Sequence, residues 1–309
     1  MIVIEAAKIV RSVVFLEVID AMRDALVAQS RGECDTPMPM HIGVECERAE
    51  VHIKASYRRG GKYFAIKVAS TFPNNFQRAL TVGPGAMMLL SAQTGQGVAL
   101  LSDDGYLTDA RTAAVGAMVV RELGRTDQVA GVIGMGIQGR FQARMLAEVM
   151  PLKTIFAYEL DPKRAEAYLH DMSKLLPDVE VIVCGSPAEV AANVKLIVTV
   201  TPARRPHFKL TDVQPGTHIN AVGADAVGKN EHDPDVLRAA ALLLVDSLAQ
   251  CERLGELQHA PDLRQKAIEI GRFCQQPVKY DKNGITFCDM TGLGAEDLAI
   301  AQYCYEKNC

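Results

Sequence analysis

Val129-Ala-Gly-Val-Ile-Gly-Met-Gly-Ile-Gln-Gly139 is the segment that says most about how this chain folds. Its first five residues form a short apolar run typical of a buried strand, and the rest follows a Gly-x-Gly-x-x-Gly pattern. Phe141, Met145 and Val149 then recur at helical spacing. A strand, a glycine-rich turn and a helix in this order form the phosphate-binding corner of a dinucleotide-binding βαβ unit. The stretch therefore predicts a Rossmann-type domain that binds a nicotinamide dinucleotide.

The glycines of this pattern have separate expected tasks. Gly134 permits the tight turn, Gly136 lets the backbone approach a pyrophosphate, and Gly139 lets the helix pack closely on the strand. The amides at the start of the helix would face the anion, together with the positive end of the helix dipole. The expected cofactor contacts in this loop are Gly134, Met135, Gly136, Ile137 and Gln138.

Glu159 bears on which dinucleotide is bound, because it follows the next predicted strand, Thr154–Tyr158. A carboxylate there accepts hydrogen bonds from the adenosine ribose and repels a 2′-phosphate, which favours NAD. Lys163 and Arg164 follow closely and would tolerate a phosphate, so NADP stays open. We predict NAD as the cofactor and Glu159 as one of its contacts.

The chain continues from this unit as alternating strands and helices. Near-continuous β-branched runs separated by helical segments indicate a parallel sheet that is covered on both faces. Further predicted strands are Val179–Val183, Leu196–Val200, His218–Val222 and Leu242–Val245. Thr199, Thr201 and Val222, at the ends of two of these strands, are further expected cofactor contacts. The prediction is an α/β fold whose doubly wound parallel sheet spans residues 112–287.

The first 111 residues follow another pattern. Short strand-like segments are separated by Arg-Gly-Gly, Val-Gly-Pro-Gly and Thr-Gly turns, which predicts a smaller α+β domain with a mostly antiparallel sheet. Ala295–Tyr305 is a helical segment that would pack back onto this domain. The smaller domain is therefore predicted to be discontinuous, with residues 1–111 plus 288–309.

Composition excludes several classes of protein. The net charge of -4 over 309 residues gives no electrostatic reason to expect nucleic acid as a partner. No apolar run approaches the roughly 20 residues that cross a bilayer, and Glu5 and Lys8 interrupt the apolar start, so we expect a cytoplasmic protein without a membrane partner. The eight cysteines contain no Cys-x-x-Cys pair and the seven histidines no metal-binding spacing, so we expect reduced thiols and no metal.

Tyr106-Leu-Thr-Asp-Ala-Arg-Thr-Ala-Ala-Val-Gly-Ala-Met118 is a distinctive segment. Together with Gly134-Met-Gly-Ile-Gln138 it resembles the ornithine cyclodeaminase/mu-crystallin superfamily. Three more stretches agree, so that the resemblance covers about residues 50–260: Lys67-Val-Ala-Ser-Thr-Phe-Pro-Asn-Asn75, Pro215-Gly-Thr-His-Ile-Asn-Ala-Val-Gly-Ala-Asp225 and Lys229-Asn-Glu-His-Asp233. It implies a homodimer formed through the smaller, substrate-binding domain, and a small amino or imino acid held beside a nicotinamide ring.

The resemblance also implies roles for single residues. Arg111 would clamp the substrate carboxylate with its planar guanidinium fork. Lys67 would contact the same carboxylate or donate a proton near the reacting nitrogen. Asp225 would be the catalytic acid/base or the partner of the substrate nitrogen. Each has a structural alternative: an ion pair between domains for Arg111, a snorkelling strand lysine for Lys67, and a loop cap for Asp225.

Four further residues are assigned by the same resemblance. Thr112 would hold the pyrophosphate, and Thr81 resembles a threonine that contacts substrate. Thr291 and Gly292 belong to a segment similar to the one that returns near the nicotinamide. The alternative for the last two is a plain loop that crosses between domains.

Two reactions fit one such site. One is the reduction of an imine by NADH, and the other is a cyclodeamination in which bound NAD takes up a hydride and later returns it. Cyclodeamination of ornithine also needs a carboxylate for the distal ammonium, but the chain has Val51-His-Ile-Lys54 where that enzyme has a glutamate. Lys54 would repel an ammonium, whereas it would bind a second carboxylate or donate a proton. Glu50 shares its face, which keeps the alternative open. His41 is the only polar candidate where the cyclodeaminase has an arginine.

We therefore expect an NAD(P)-dependent imino-acid reductase or amino-acid dehydrogenase. Ornithine cyclodeaminase, which makes proline and ammonia, is the first alternative. A non-catalytic mu-crystallin-like binding protein is the second, because a fold does not prove an activity. Lys67, Arg111 and Asp225 argue against the second alternative, since a carrier would not need this set of residues.

Overall fold

The computed structural model describes residues 1–309, apart from the side chain of Phe76. The chain forms two compact units. The first unit comprises Met1–Ala114 together with Leu293–Cys309, and the second comprises Val115–Gly292. Among the described residues, no helix combines the length and the apolar character that crossing a membrane requires.

Strands and helices are numbered here along the chain. The strands are β1 (Ile2–Glu5), β2 (Cys34–Asp35), β3 (Met40–Val44), β4 (Ala49–Arg58), β5 (Tyr63–Thr71), β6 (Gly85–Ser91), β7 (Gly97–Ser102), β8 (Val129–Ile133), β9 (Thr154–Tyr158), β10 (Glu180–Val183), β11 (Leu196–Thr199), β12 (His218–Ala221), β13 (Ala240–Val245), β14 (Ile268–Glu269) and β15 (Ile285–Asp289). The helices are α1 (Ala6–Ser12), α2 (Phe15–Ser30), α3 (Tyr106–Glu122), α4 (Ile137–Val149), α5 (Pro162–Leu175), α6 (Pro187–Asn193), α7 (Pro234–Ala239), α8 (Leu248–Leu254), α9 (Ile270–Gln275) and α10 (Gly294–Asn308).

The first unit is built on a seven-stranded sheet in the order β1-β7-β6-β5-β4-β2, with β3 also paired to β4. Only β1 and β7 run parallel; the other pairs are antiparallel, as the turn-rich sequence predicts. Because side chains alternate along a strand, Lys54 and Lys67 share the buried face. Val51, Ile53 and Val68 lie on the opposite face.

Helix α10 packs on β4, β5 and α2. Its first residue, Gly294, lies so close to β4 that a Cβ would come within 2.3 Å of the Ala55 carbonyl oxygen. A glycine is therefore required where the helix meets the sheet. The close approach sets the first turn of α10, with Glu296 and Asp297, against the buried face of the sheet.

The second unit contains an eight-stranded sheet in the order β10-β9-β8-β11-β12-β15-β13-β14, and all its pairs are parallel. Helices connect most successive strands, which confirms the predicted Rossmann-type α/β class. Strands β14 and β15 were not predicted from the sequence. Strand β15 comes late in the chain but lies between β12 and β13, a position that a short apolar run does not reveal by itself.

The core of the second unit consists of side chains from these parallel strands. Ile133, Ile197, Ile219 and Phe287, on four different strands, are fully buried in one cluster. Capping residues mark where surrounding helices begin. At the start of α6 the Ser186 hydroxyl accepts a hydrogen bond from the Glu189 amide at 3.1 Å. The parallel arrangement brings the carboxyl ends of all the strands to one edge of the sheet, where open α/β folds bind ligands.

Candidate functional site

The glycine-rich loop joins β8 to α4. Gly134 has a φ of +104°, and a Cβ there would lie 2.8 Å from the Val200 carbonyl oxygen. At Gly139 a Cβ would lie 2.2 Å from the carbonyl oxygen of Gly134. At Gly136, the N-cap of α4, a Cβ would meet nothing within 4 Å. Gly134 and Gly139 are thus required by the protein's own backbone, whereas the open space at Gly136 fits the approach of a ligand phosphate.

Glu159 follows β9 and contacts the glycine-rich loop. Its Oε2 accepts a hydrogen bond from the Met135 amide at 3.0 Å, and its Oε1 accepts one from the Leu160 amide at 2.9 Å. Backbone donors therefore hold the carboxylate beside the turn. Arg164 is one of the two basic residues that would tolerate the 2′-phosphate of NADP. It lies 3.9 Å from the Asp161 carboxylate.

Arg140 braces the same loop, and sequence reasoning missed it. Its Nη1 donates to the carbonyl oxygens of Met135 at 2.7 Å and Gly136 at 2.9 Å, and its Nε donates to Asp171 at 2.8 Å. The guanidinium also lies 5.2 Å from the ring centre of Tyr168. The available signal was a basic side chain directly after the last glycine of the pattern.

Glu231 joins the ends of β11 and β12. Its Oε2 accepts hydrogen bonds from the Thr199 hydroxyl and the Gly223 amide, both at 2.8 Å. Its Oε1 accepts from the Thr201 amide at 2.8 Å and from the Thr201 hydroxyl at 2.7 Å. The predicted cofactor contacts Thr199 and Thr201 thus donate their hydroxyls to a buried carboxylate, next to Val222 in the same turn.

Glu231 belongs to a larger buried cluster. Burial by itself would raise its pKa, but His207 and His232 outweigh this effect and hold the pKa below its ordinary value. Glu256 accepts hydrogen bonds from the amides of Glu231 and His232, and burial, reinforced by Asp289, raises the pKa of Glu256 to about 9. Burial also raises the pKa of Asp289 to about 7. At neutral pH the negative charge is therefore on Glu231, while Glu256 is protonated.

Asp225 and the Thr291-Gly292 segment also lie in the second unit. Asp225 Oδ1 accepts a hydrogen bond from Lys229 Nζ at 2.5 Å, and its side chain is 39% exposed. Asp246 Oδ2 accepts from the amides of Thr291 and Gly292, both at 2.6 Å. The structure thus holds the predicted nicotinamide-side segment by a buried carboxylate, while Asp225 is a partly exposed acid in an ion pair.

A buried charge cluster lies between the sheet of the first unit and α10. Lys67 Nζ lies 3.0 Å from Asp297 Oδ1, to which Arg111 Nε also donates at 3.0 Å. Arg111 Nη1 donates to Glu296 Oε2 at 2.9 Å. All four side chains are at most 5% exposed. Because burying charge is costly even when it is paired, such a cluster is weak evidence of stabilisation and marks a candidate functional site.

Lys54 adds a third cation to this cluster. It lies directly opposite Lys67 in the register of β4 and β5 and is 8% exposed. Burial, and then the charge of Arg111, lowers the pKa of Lys67 to about 7. Burial would raise the pKa of Asp297, but Lys67 and Arg111 together hold it below its ordinary value. Three basic side chains therefore surround two carboxylates, and with Lys67 protonated the surplus positive charge is suited to binding an anion.

Glu296 and Asp297 were absent from the predicted site. The C-terminal helix was predicted only to pack onto the smaller domain, although two adjacent acidic residues in its first turn were the available signal. Asp103 was missed as well. Its Oδ2 accepts a hydrogen bond from the Leu107 amide at 2.6 Å, which secures the start of the helix that carries Arg111. Burial raises the pKa of Asp103 to about 6.

Three other predicted contacts of the first unit lie outside the cluster of direct ion pairs. Thr81 donates its hydroxyl to Asp104 at 2.5 Å. Thr112 donates its hydroxyl to the carbonyl oxygen of Thr108 within α3, at 2.8 Å. His41 is half exposed on β3 and lies near Glu50. Their assigned roles in binding substrate or cofactor stay predictions.

The fold and these residues define a class: a Rossmann-type, dinucleotide-binding α/β protein with a second α+β unit that contains a buried basic cluster. Within this class, the family model of the ornithine cyclodeaminase/mu-crystallin family matches residues 1–309. The chain belongs to this family, and the resemblance seen in its motifs is confirmed.

The names of the relatives indicate several different reactions. The chain is 37% identical over 279 residues to an uncharacterised cyclodeaminase of Sinorhizobium fredii, covering 88% of this chain and 84% of that protein. It is 31% identical over 299 residues to the alanine dehydrogenase of Archaeoglobus fulgidus, covering 94% and 90%. The structure of Thermococcus litoralis Δ1-pyrroline-2-carboxylate reductase with NADH and L-proline matches with a TM-score of 0.91 at 27% identity, covering 99% of this chain and 97% of that one. The relatives are thus oxidoreductases or cyclodeaminases of amino and imino acids.

Proposed function

We propose that this chain is an NAD-dependent imino-acid reductase or amino-acid dehydrogenase. The observation that carries the proposal is the buried Lys54, directly opposite Lys67 and beside the ion pairs of Arg111. A cluster with more cations than carboxylates attracts the carboxylate of an amino or imino acid. The same cluster repels the second ammonium group that a diamino acid would bring.

The substrate carboxylate binds to Arg111 and Lys67 in this proposal. Both cations are already desolvated, which strengthens their attraction for an anion. Glu296 and Asp297 act as positioning residues, because their hydrogen bonds fix the direction of both cations. The substrate charge then offsets the third cation, Lys54.

Proton transfer is the second task of the site. An imine accepts hydride readily only when its nitrogen is protonated, and NADH, when bound, would supply that hydride. The pKa of about 7 lets Lys67 both hold and release a proton at neutral pH, as a general acid requires. Asp225 is the other proposed acid/base, and its ion pair with Lys229 would orient it.

The second unit carries the residues proposed to bind NAD. The amides at the start of α4 and the open space at Gly136 suit the pyrophosphate. Glu159, held by backbone donors beside the loop, suits the ribose hydroxyls and disfavours the 2′-phosphate of NADP. We assign the remaining loop residues Met135, Ile137 and Gln138 to the same site.

Ornithine cyclodeaminase is the second candidate function. Glu50 lies on the same strand face as Lys54, four residues earlier, and offers a carboxylate for a distal ammonium. The relative of Sinorhizobium fredii, whose name contains cyclodeaminase, also favours it. We rank it second because Lys54 is buried at the ion-pair cluster, whereas Glu50 is partly exposed.

Steady-state kinetics separate these candidates. The proposal expects NADH oxidation with Δ1-pyrroline-2-carboxylate, with Δ1-piperideine-2-carboxylate, or with pyruvate plus ammonia. Formation of proline and ammonia from ornithine, without net change in NADH and without oxidation by any of these acids, would instead establish the cyclodeaminase. Binding of NADH without turnover of any substrate would favour the non-catalytic binding protein.

We further propose that the chain forms a homodimer through the outer face of the first unit's sheet. Met40, Ile42 and Val68 on that face are 59%, 46% and 43% exposed. The register of β3, β4 and β5 places them on one side of the sheet. A contiguous apolar sheet face of this kind is typical of a protein interface.

A further inference from the structure

We propose that His41, Glu50 and His52 form a binding site for a divalent transition-metal ion in the first unit. His41 on β3 and His52 on β4 are directly paired in the antiparallel register. Glu50 lies two residues before His52 and therefore points to the same face of the sheet. Two hydrogen-bonded strands thus bring together three ligand side chains that have no metal-binding spacing in the sequence.

The distances between the donor atoms fit a small coordination shell. Glu50 Oε2 lies 3.4 Å from His52 Nε2 and 3.9 Å from His41 Nε2. One donor atom from each of the three residues lies within 4.8 Å of the other two. Ligands at 2.0–2.1 Å from a tetrahedral zinc ion are separated by about 3.3 Å. Glu50 and His52 are already at about this spacing, whereas His41, which is 51% exposed, has to move closer to Glu50.

The donor set indicates which ions would bind. Two imidazole nitrogens and one carboxylate oxygen suit Zn²⁺, Co²⁺ and Ni²⁺ rather than Mg²⁺ or Ca²⁺, which prefer oxygen ligands only. The carboxylate places a negative charge between the two rings, which already meet edge to face with centroids 4.9 Å apart. Three protein ligands also leave a fourth coordination position for water or another small ligand.

The surroundings of the site allow a cation to enter. The side chains of His41 and Glu50 are 51% and 35% exposed, so an ion reaches them from solvent, while His52, at 17%, gives a more fixed anchor. Lys54 follows on the same strand face and is the nearest cation along β4. Lys54 repels a second cation here as it would an ammonium group, so the bonds from the three ligands have to outweigh this repulsion.

Cobalt titration of the purified full-length protein, without NAD or substrate, tests the site. We expect one Co²⁺ per chain, with visible absorption bands of a low-coordinate N/O site. His52→Ala, His41→Ala and Glu50→Gln are each expected to weaken Co²⁺ binding at least about 100-fold, because losing even a residue that orients a ligand costs 10–100-fold. His170→Ala is the matched control, since His170 is an exposed histidine in the second unit whose loss should change nothing.

Two results would overturn the proposal. One is Co²⁺ binding that is unchanged in His41→Ala and His52→Ala, with both variants shown to be folded by circular dichroism. The other is a sulfur-to-cobalt charge-transfer band that disappears in Cys46→Ser, which would assign the ion to an exposed thiol instead. The readout is metal binding alone, so it stands independently of the proposed reductase activity.

Discussion

Burial changes the chemistry of single side chains in both units. Lys67 is an ordinary lysine in the sequence, but burial beside Arg111 lowers its pKa to about 7. Glu256 is an ordinary glutamate, but burial raises its pKa to about 9. In both cases the charged form loses the solvation that water gives it, and nearby charges decide how much of that loss is recovered. The proton chemistry of the protein therefore depends on how deeply single side chains are buried.

Lys67→Arg tests the role of Lys67 as proton donor. In the wild type, kcat/KM for imine reduction is expected to be full below pH 7 and to fall as the pH rises through about 7, because Lys67 then loses the proton that it must donate. Arginine stays charged, so the variant should keep the ion pair with Asp297, lose this fall, and turn over about 100-fold more slowly or worse. The measurement is NADH oxidation from pH 5 to 10. Coincident pH profiles for the two proteins would remove Lys67 from this role.

Glu159→Ala tests the choice between NAD and NADP. We expect the ratio of kcat/KM for NADH to that for NADPH to fall at least about tenfold, because a hydrogen-bonded charge worth 1.5–3 kcal/mol is lost and the repulsion of the 2′-phosphate disappears. Asp161→Ala is the matched control from the same loop. It removes the cap on the Lys163 amide and about 1 kcal/mol of helix stability, and should leave the ratio unchanged. An unaltered ratio in Glu159→Ala would mean that Glu159 does not contact the ribose.

At the scale of the elements, strand ends and helix starts are joined by a few side chains and by glycines. The glycine-rich loop between β8 and α4 is held by its own close contacts and by Arg140. The ends of β11 and β12 are joined by Glu231. These connections set the edge of the parallel sheet where a dinucleotide binds in this fold.

Gly136→Ala and Gly139→Ala should separate ligand binding from folding in this loop. A Cβ at Gly136 meets no protein atom within 4 Å, so we expect a Tm within about 2 °C of wild type. NADH binding should nevertheless weaken at least about tenfold, because the methyl group occupies the approach of the pyrophosphate. In Gly139→Ala the Cβ would lie 2.2 Å from the Gly134 carbonyl oxygen, so stability should fall by about 2 kcal/mol or more. Thermal unfolding measures the stability of the two variants, and NADH fluorescence measures their affinity for the cofactor. Normal NADH affinity in Gly136→Ala would contradict the approach of the pyrophosphate at this glycine.

Glu231→Gln tests the connection between β11 and β12. An amide group can accept hydrogen bonds only through its single oxygen, whereas the carboxylate accepts them through both oxygens. We expect the free energy of unfolding to fall by about 3 kcal/mol, as buried donors lose their acceptor. Denaturant unfolding measures the change, and the exposed Glu148→Gln serves as control. A loss no larger than that of the control would show that the four hydrogen bonds contribute little.

At the scale of the whole molecule, an outer sheet face with exposed apolar side chains bears on assembly. We expect a mass in solution of twice 33.5 kDa, and we expect Ile42→Glu and Val68→Glu to shift the protein to monomers, because a buried charge disfavours association. Leu160→Glu is the control, since Leu160 is an exposed apolar residue of the second unit. Analytical ultracentrifugation measures all three. Dimers that persist in both sheet variants would place the interface elsewhere.

The sequence predicted much of the fold but less of the candidate site. Strands such as β8 and β9 were predicted because a buried strand is a local apolar run, and the turn at Gly134 because only glycine fits there. Strand β15 was missed because its neighbours are remote in the chain. Asp297 was missed for the same reason, since its partner Lys67 lies 230 positions away.

The family, the α/β class and the glycine-rich loop follow from the amino-acid sequence alone, because each depends on residues that lie close together along the chain. Tertiary structure alone decided which charges meet. It set Asp297 against Lys67 and Arg111, and it paired His41 with His52 across two strands. Charge pairing depends on distances of a few ångströms between distant segments, and the pKa values that follow depend on burial. Neither quantity exists before the chain has folded.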